Sequence, residues 1–324
     1  MATTQSLKQY QMFINGQWLD AQDGSRFDSL NPANAQPWAS FPHAQEADVD
    51  AAVQAAQNAF ENPTWRSLHA TARGKLLRKL GDLIAASKQR LAQLESNDNG
   101  KLIRETLGQI GYMPEFFYYY AGQADKLEGQ TLPLDKSDMF AYTSHEPLGV
   151  VAAIIPWNSP MYLTAVKLAP ALAAGNTVIF KSAPETVATS WHLVNQLWRA
   201  GVPKDVLQFV STQDDEIGRA LITHDDVNAV ILTGGYNTAL MFSSWKNELN
   251  LLAETSGKNA MILTACCDND VAVKDLVQSA FGHAGQKCSA ASRVYLPESK
   301  SDEILENLKT QIRTIVRTFN FIII

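Results

Sequence analysis

The spacing of apolar positions changes character along the chain, and each change predicts a different element. Residues 11–19, QMFINGQWL, alternate as two short extended arms around Asn15-Gly16, a dipeptide that favours a tight hairpin. Helical spacing follows. Asp48 reads as the N-cap of a helix that places Val49, Val53, Ala56 and Phe60 on one face. Residues 70–94 predict one long helix through Leu76, Leu77, Leu80, Leu83, Ile84, Leu91 and Leu94. A third spans 101–122, interrupted near Gly111 and Pro114. Its aromatic run 116–120 reads first as core and interface packing, with a pocket lining as the alternative.

Residues 129–147 break that pattern. TLPLD, a polar turn and FAYTSHEP predict a hairpin outside the helical layer, either an ordinary surface hairpin or an edge offered to another subunit. From 148 onward strands at 148–155, 176–180, 206–210, 229–232 and 251–253 alternate with helices at 163–173, 186–199, 217–222 and 237–245. This alternation predicts an α/β fold with a parallel sheet covered on both faces and ligands at the carboxyl ends of its strands. Neither Gly-x-Gly-x-x-Gly nor a Walker-type loop occurs.

With 324 residues, 46% of them hydrophobic, the chain has enough apolar material for two domains. A net charge of −6 without a basic block argues against nucleic acid as a partner. Apolar runs are of strand length, which argues against a membrane span, and the first residues lack a basic region leading into an apolar run, so no secretion signal is expected. Three cysteines, with Cys266 and Cys267 adjacent, make neither a disulfide framework nor a metal pattern; a cytoplasmic location is expected, with no metal.

Candidate chemistry gathers in the loops. Cys288 lies in FGHAGQKCSAAS, between a helical and a strand pattern, with the small neighbours of an accessible nucleophilic thiol; the competing reading is a buried small hydrophobe. Glu254, in LLAETSGKNA, supplies a carboxylate able to activate water for release of an acyl intermediate. Asn158, in Pro156-Trp157-Asn158-Ser159-Pro160, offers an amide N–H to an oxyanion or is simply a turn asparagine. Lys181, at a strand end before a helix, is either a ribose or phosphate ligand or a solvated lysine. Thr233-Gly234-Gly235 is a strand-to-helix loop where glycine lets a pyrophosphate come close, a weak signal alone.

In order, these segments resemble the aldehyde dehydrogenase superfamily from about Gln11 to about Val316: PWNSP, KLAPALAAGNTVIFKSAPET, LTGGYNTA, AETSGK and GHAGQKCSAAS each stand where the family has a motif. Residues 203–292 resemble the branch that oxidises glutamate γ-semialdehyde (1-pyrroline-5-carboxylate dehydrogenase), while 1–200 resemble the broader betaine-aldehyde and semialdehyde branch. The resemblance implies a Rossmann-like cofactor domain (1–125 and 148–255), a protruding oligomerisation hairpin (126–147) and a partial α/β catalytic domain (256–324). It also implies oxidation of a small-molecule aldehyde with NAD or NADP. Cys288 would attack the aldehyde, Asn158 and the Cys288 backbone N–H would hold the oxyanion, and Glu254 would activate water with Lys167 relaying protons. Ile155, Pro156, Trp157 and Ala183 would border the cofactor, Lys181 would bind its adenosine ribose, and Thr233, Gly234 and Gly235 would face its pyrophosphate.

The chain departs from the family in three places. Pro184 stands where many NAD-preferring members carry a glutamate, and Glu185 comes one position later, a turn of about 100° if that segment is helical, so NADP is tolerated in this reading. Tyr236 and Ala239 replace smaller residues of the pyrophosphate loop, and the Val210-Ser211-Thr212-Gln213 segment lacks glycine. Family members also continue well beyond this chain. The expectation is therefore an incomplete catalytic domain, a thiol pocket open on one side, and a homo-oligomer weakened by loss of a terminal strand. The alternative function is an impaired remnant that binds nucleotide or full-length subunits. An amphipathic helix is predicted over 301–317, followed by an aggregation-prone apolar tail at 319–324.

Overall fold

Short β elements open the chain in the computed structural model, which describes residues 7–318 and divides into two units, 1–254 and 255–324. The tail 319–324 lies outside the described residues. After β1 (Lys8–Gln9), the strands β2 (Met12–Ile14) and β3 (Gln17–Leu19) form the expected hairpin, with φ of 50° at Asn15 and 77° at Gly16. Positive φ at both turn residues matches the twist of the flanking strands, and Asn and Gly are the residues that accept it. β4 (Arg26–Asn31) and β5 (Gln36–Pro42) pair antiparallel, and β1 joins β5 in a small separate sheet.

Three helical expectations are corrected. In α1 (Glu46–Glu61) the N-cap is Gln45, and Asp48 sits one turn inside, where its carboxylate accepts the Gln45 N–H at 2.9 Å in a capping box. A short α2 (Pro63–Arg66) follows. The single helix expected over 70–94 is two, α3 (Ala70–Ala86) and α4 (Lys88–Asn99), broken at Ser87 with φ −101° and ψ 4°. Leu77, Ile84 and Leu91 are all fully buried seven positions apart, so the apolar stripe stays in phase across the break and hides it. α5 (Ile103–Gln123) runs without interruption through Gly111 and Pro114. Pro114 forfeits one backbone donor, but it lies on the buried face of a helix packed against α3, α4 and α6. Within the aromatic run, Phe117 is core, while Phe116 meets Tyr162 edge-on at 5.1 Å and borders an open surface pocket with Tyr112, Glu115, Tyr119 and Tyr120.

The 129–147 segment forms the expected hairpin, β6 (Thr131–Leu132) against β7 (Ala141–Tyr142). Alternation then proceeds as β8 (Val150–Ile155), α6 (Pro160–Ala173), β9 (Thr177–Ser182), α7 (Val187–Ala200), β10 (Leu207–Val210), α8 (Asp215–Thr223), β11 (Ala229–Gly234), α9 (Tyr236–Trp245) and β12 (Leu251–Thr255). The main sheet has the order β12-β11-β8-β9-β10-β2-β3; β11, β8, β9 and β10 are mutually parallel, and the β2/β3 hairpin adds antiparallel to β10.

Alternate residues of β8, β9 and β10 feed two cores. Ala153, Ile155, Val178, Phe180, Leu207 and Phe209 join the core shared with α3, α5, α6 and α7, whereas Val150, Ala152, Ile154, Ile179 and Val210 join the one shared with α1, α8 and α9. Period-two alternation with both faces apolar is what a doubly covered sheet requires, and burying each large apolar side chain contributes roughly 1.5–3 kcal/mol. The connections leave β8 toward β9 on one side and return to β11 on the other. The order reverses there, and ligands of open α/β sheets bind outside the carboxyl ends at such a switch.

The unit 255–324 has β13 (Asn259–Ile262) parallel to β14 (Ala291–Tyr295), joined through α10 (Asn269–Phe281) and followed by α11 (Ser301–Thr318). Its small core holds Leu263, Ala272, Val273 and Ile304. Ile304 lies on the apolar face predicted for the last helix, but Leu305 is exposed.

Candidate functional site

Register aligns the predicted loops of unit 1–254. Ile155 pairs with Ser182 across β8 and β9, while Ile154 pairs with Lys181 on one side and Leu232 on the other. The segments 155–159, 181–183 and 233–235 therefore leave the same edge of the sheet. Pro160 occupies the first turn of α6, where a missing N–H costs nothing. This ends the loop sharply after Asn158, which is half-buried, and Ser159, which is buried.

Lys167, inside α6, is buried, and its Nζ donates to Thr233 Oγ1 at 2.6 Å. Burial pushes its amine down to about 8, and the opposing pull of the Glu254 carboxylate limits the fall. Glu254 itself is exposed, on β12. Among the described residues Lys181 Nζ donates to the Ser182 carbonyl, at 3.4 Å; burial lowers its pKa, while Glu185 and Asp215 hold it up. Ser182 Oγ is buried without a hydrogen-bond partner among the described residues, on the face of β9 opposite Lys181. Ala183 caps a single 3-10 turn, Pro184–Thr186, and Gly235 (φ −76°) is the N-cap of α9. A Cβ at Gly235 would make only an ordinary 3.5 Å contact with Thr238 Oγ1, so the chain's own packing does not demand glycine there.

Cys288 belongs to the other unit and is exposed in the loop before β14. Three consecutive residues, His283 (φ 51°), Ala284 (φ 55°) and Gly285 (φ 75°), lie in the left-handed region, and two of them carry a Cβ that disfavours it. From this bend the Gln286 N–H donates to His283 O at 3.0 Å and the Lys287 N–H to Gly285 O at 2.9 Å. Asn259 Nδ2 donates to the Cys288 carbonyl, and Gly257 approaches that carbonyl so closely that any Cβ there would collide with it. The glycine of AETSGK is thus required by the backbone of the cysteine loop.

Sequence patterning misses the charged groups beneath the 156–159 loop. Lys101, expected at the start of a helix, is fully buried together with Glu95, and their Nζ–Oε1 distance is 3.2 Å. Lys101 Nζ also donates to Gln109 Oε1 at 2.6 Å and to Ser159 Oγ at 2.8 Å. Burial raises the Glu95 pKa, and the Lys101 ammonium pulls it back. Gly100, at φ 74°, ends α4 in a left-handed cap. The turn of Asn99, Gly100 and Lys101 after a helix is the one signal that a lysine folds back onto that helix.

Asp98 was missed too. Its carboxylate accepts the Thr189 N–H at 2.8 Å in the first turn of α7 and the Ser29 hydroxyl at 3.3 Å. Burial pushes its pKa up to about 7. The folded state then binds a proton that the unfolded state has released between about pH 4 and pH 7, so this group's contribution is complete below pH 4 and is lost as pH rises to 7. Asp98→Asn should remove a decline of roughly 3–5 kcal/mol across that window. Urea unfolding of both proteins from pH 4 to 7 measures it, and parallel pH profiles would refute the assignment.

Residues 18–318 match the sequence profile described as "Aldehyde dehydrogenase family". The chain is 42% identical over 311 residues to (Z)-2-((N-methylformamido)methylene)-5-hydroxybutyrolactone dehydrogenase of Acinetobacter baylyi, covering 95% of this chain and 63% of that protein. It is 39% identical to aldehyde dehydrogenase 1A1 of Oryctolagus cuniculus, covering 94% and 62%. Among solved structures, an NAD-dependent aldehyde dehydrogenase from Sinorhizobium meliloti superposes with a TM-score of 0.91 at 32% identity, covering 95% of this chain and 62% of that one. The NAD+ complex of a Bacillus cereus aldehyde dehydrogenase gives 0.90 at 36% identity, covering 94% and 62%. The chain thus spans a little over three-fifths of the length of these relatives. On a profile that takes in most of its residues and a parallel-sheet fold that matches solved members, the chain belongs to the aldehyde dehydrogenase family.

Proposed function

We propose that the chain carries the chemistry of NAD(P)-dependent oxidation of an aldehyde to a carboxylic acid. The observation that carries this reading is the Lys167–Thr233 contact within the field of Glu254, at the carboxyl edge of a parallel sheet beside the Asn158 loop. In this reading the Cys288 thiolate adds to the aldehyde carbon, and the Asn158 amide and the Cys288 N–H donate to the oxyanion of the thiohemiacetal. A bound nicotinamide would supply the acceptor for the hydride of this carbon. Glu254 then takes a proton from the water that attacks the thioester, and Lys167, with its lowered pKa, passes the proton on through the Thr233 hydroxyl.

For the cofactor, the place of Lys181 at the carboxyl end of β9, next to Ala183, supports a ribose site. Ile155, Pro156 and Trp157 border the same edge, and the tolerance of Gly235 for a Cβ supports a role for Thr233, Gly234 and Gly235 in admitting a pyrophosphate. Glu185 is exposed and its charge reaches Lys181, which keeps NAD and NADP both in this reading. Residues 1–125 and 148–255 act as the cofactor domain and 256–324 as part of the catalytic domain. Residues 126–147 act as an oligomerisation arm, supported by the exposed Leu132, Phe140 and Tyr142.

No helix of the described residues is long and apolar enough to cross a membrane. Relatives whose names include "cytosolic" support a cytoplasmic site of action. For the substrate, the resemblance of 203–292 to the glutamate γ-semialdehyde branch places that aldehyde in the first test panel, with a betaine-type aldehyde and a simple aliphatic one. The expected result is aldehyde-dependent growth of reduced-cofactor absorbance with at least one of them. Cofactor binding without turnover on any member would leave only the nucleotide-binding alternative.

A further inference from the structure

We infer that the buried Glu95–Lys101 pair is a positioning device for the oxyanion loop, acting through Ser159 and Met161 to fix where the Asn158 amide stands. The inference rests on the reading of Asn158 as oxyanion donor.

A buried ion pair needs a reason. Removing two charges from water costs about as much as their attraction returns, so well-packed apolar residues would serve packing equally well. What apolar residues cannot supply is directed bonds. The ammonium of Lys101 donates to Glu95, Gln109 and Ser159. The second carboxylate oxygen of Glu95 accepts the Met161 N–H at 3.4 Å, and Gln109 Nε2 donates to Ser159 Oγ at 3.4 Å. Asn99 completes the clamp. Its Nδ2 donates to the carbonyls of Trp157 and Asn158, both at 3.4 Å, and its Oδ1 accepts the Lys101 N–H at 3.0 Å. Contacts therefore fall on residues 157, 158, 159 and 161, which bracket the proposed donor in sequence, and they come from α4, from the turn after it and from α5. An oxyanion donor works only within about 2.7–3.1 Å of the charge it stabilises, and a misplacement of about 1 Å costs on the order of 100-fold in rate. Neither Glu95 nor Lys101 is assigned contact with substrate; both are positioning residues.

The test reads the loop directly. Amide hydrogen exchange is followed at Trp157, Asn158, Ser159 and Met161 in wild type, Lys101→Met, Ser159→Ala, the double variant of these two, Lys101→Arg, and Glu95→Gln with Lys101→Met. Amides of β10 and α8 report global opening. The expected result is exchange at least about 10-fold faster than wild type in the loop of Glu95→Gln with Lys101→Met, which regains most of the stability, with β10 and α8 unchanged; Lys101→Met alone, which loses global stability, is read at the loop only. Ser159→Ala should show a smaller effect, the double variant no more than Lys101→Met alone, and Lys101→Arg partial recovery. Strict additivity in the double variant would show that the two groups do not act together. Should Lys101→Met fail to fold, the charge-neutral pair Glu95→Gln with Lys101→Met carries the same test.

In aldehyde oxidation, kcat should fall roughly 10–100-fold in Lys101→Met while KM for the aldehyde stays within about threefold, because the lost interaction belongs to the transition state. Loop exchange unchanged in Glu95→Gln with Lys101→Met, or accelerated equally throughout that variant, overturns the inference even if wild type turns over. A wild type that oxidises no aldehyde overturns the Asn158 reading instead, whatever the exchange shows.

Discussion

Cys288→Ala is expected to lower aldehyde-dependent cofactor reduction by at least about 1,000-fold, the scale on which enzymes lose activity when a covalent nucleophile is removed. The proposed chemistry has no second route: without the sulfur there is no tetrahedral adduct from which hydride can leave, and no thioester for Glu254 to hydrolyse. Cofactor affinity should stay within about threefold, since the proposed cofactor contacts lie on β8, β9 and β11 and a nucleophile is not needed to bind the ground state. Cys266→Ala and Cys267→Ala serve as controls and should retain the wild-type rate. Absorbance of the reduced cofactor under saturating aldehyde measures the first effect, and titration calorimetry with the oxidised cofactor the second. Equal rates in wild type and Cys288→Ala would remove the nucleophile assignment and leave the family fold without the family chemistry.

The second large effect is on stability. Lys101→Met leaves the Glu95 carboxyl buried without its cation, and removal of one partner of such a pair costs about 3–5 kcal/mol. For a unit of this size that corresponds to a fall in Tm of roughly 10 °C. The loss has a definite pH sign. Deprived of Lys101, the buried carboxyl is held protonated, its folded pKa raised above the unfolded value, so the penalty is small in acid and grows as pH rises. Glu95→Gln with Lys101→Met removes the stranded charge and should recover most of the stability while the contact with Ser159 stays lost. Thermal unfolding at pH 5 and pH 8 separates these cases. A Lys101→Met protein equally destabilised at both would mean that packing, and not charge, sets the cost.

How much of this was legible beforehand depends on which signal each residue sends. Asn15-Gly16 specifies its turn locally, and the alternating strands from Val150 onward specify a two-faced sheet, so both read directly from residue order. The break at Ser87 was hidden because Leu77, Ile84 and Leu91 keep one stripe in phase through it. Pro114 sent the opposite false signal: its missing donor is a local cost, and burial of its face against neighbouring helices outweighs it. Taking Asp48 as the cap starts the helix one turn late, because a capping box puts its acid at the third helical position, while Gln45 is an uncommon cap.

The candidate site divides in the same way. The Asn158 loop, Lys181 and the 233–235 turn could be placed at strand ends from residue order, and β-pairing brings those ends to one edge, whereas Lys167 comes only from the family resemblance. Glu95, Asp98 and Lys101 were not, because a charged residue on a helix is normally assigned to water. Nothing in residue order announces that three side chains from separate turns will close around one ammonium.

The left-handed run through His283, Ala284 and Gly285 bears on any attempt to make the cysteine motif portable. Two of those residues resist that conformation by themselves, at roughly 1–2 kcal/mol each, and the carbonyl of Cys288 is pinned by Asn259 and crowded by Gly257, some thirty positions earlier in the chain. A synthetic peptide copying residues 281–292, or the same dozen residues grafted into a foreign loop, lacks both the restraint and the glycine that makes room for it. Such a graft inherits the thiol but not its presentation.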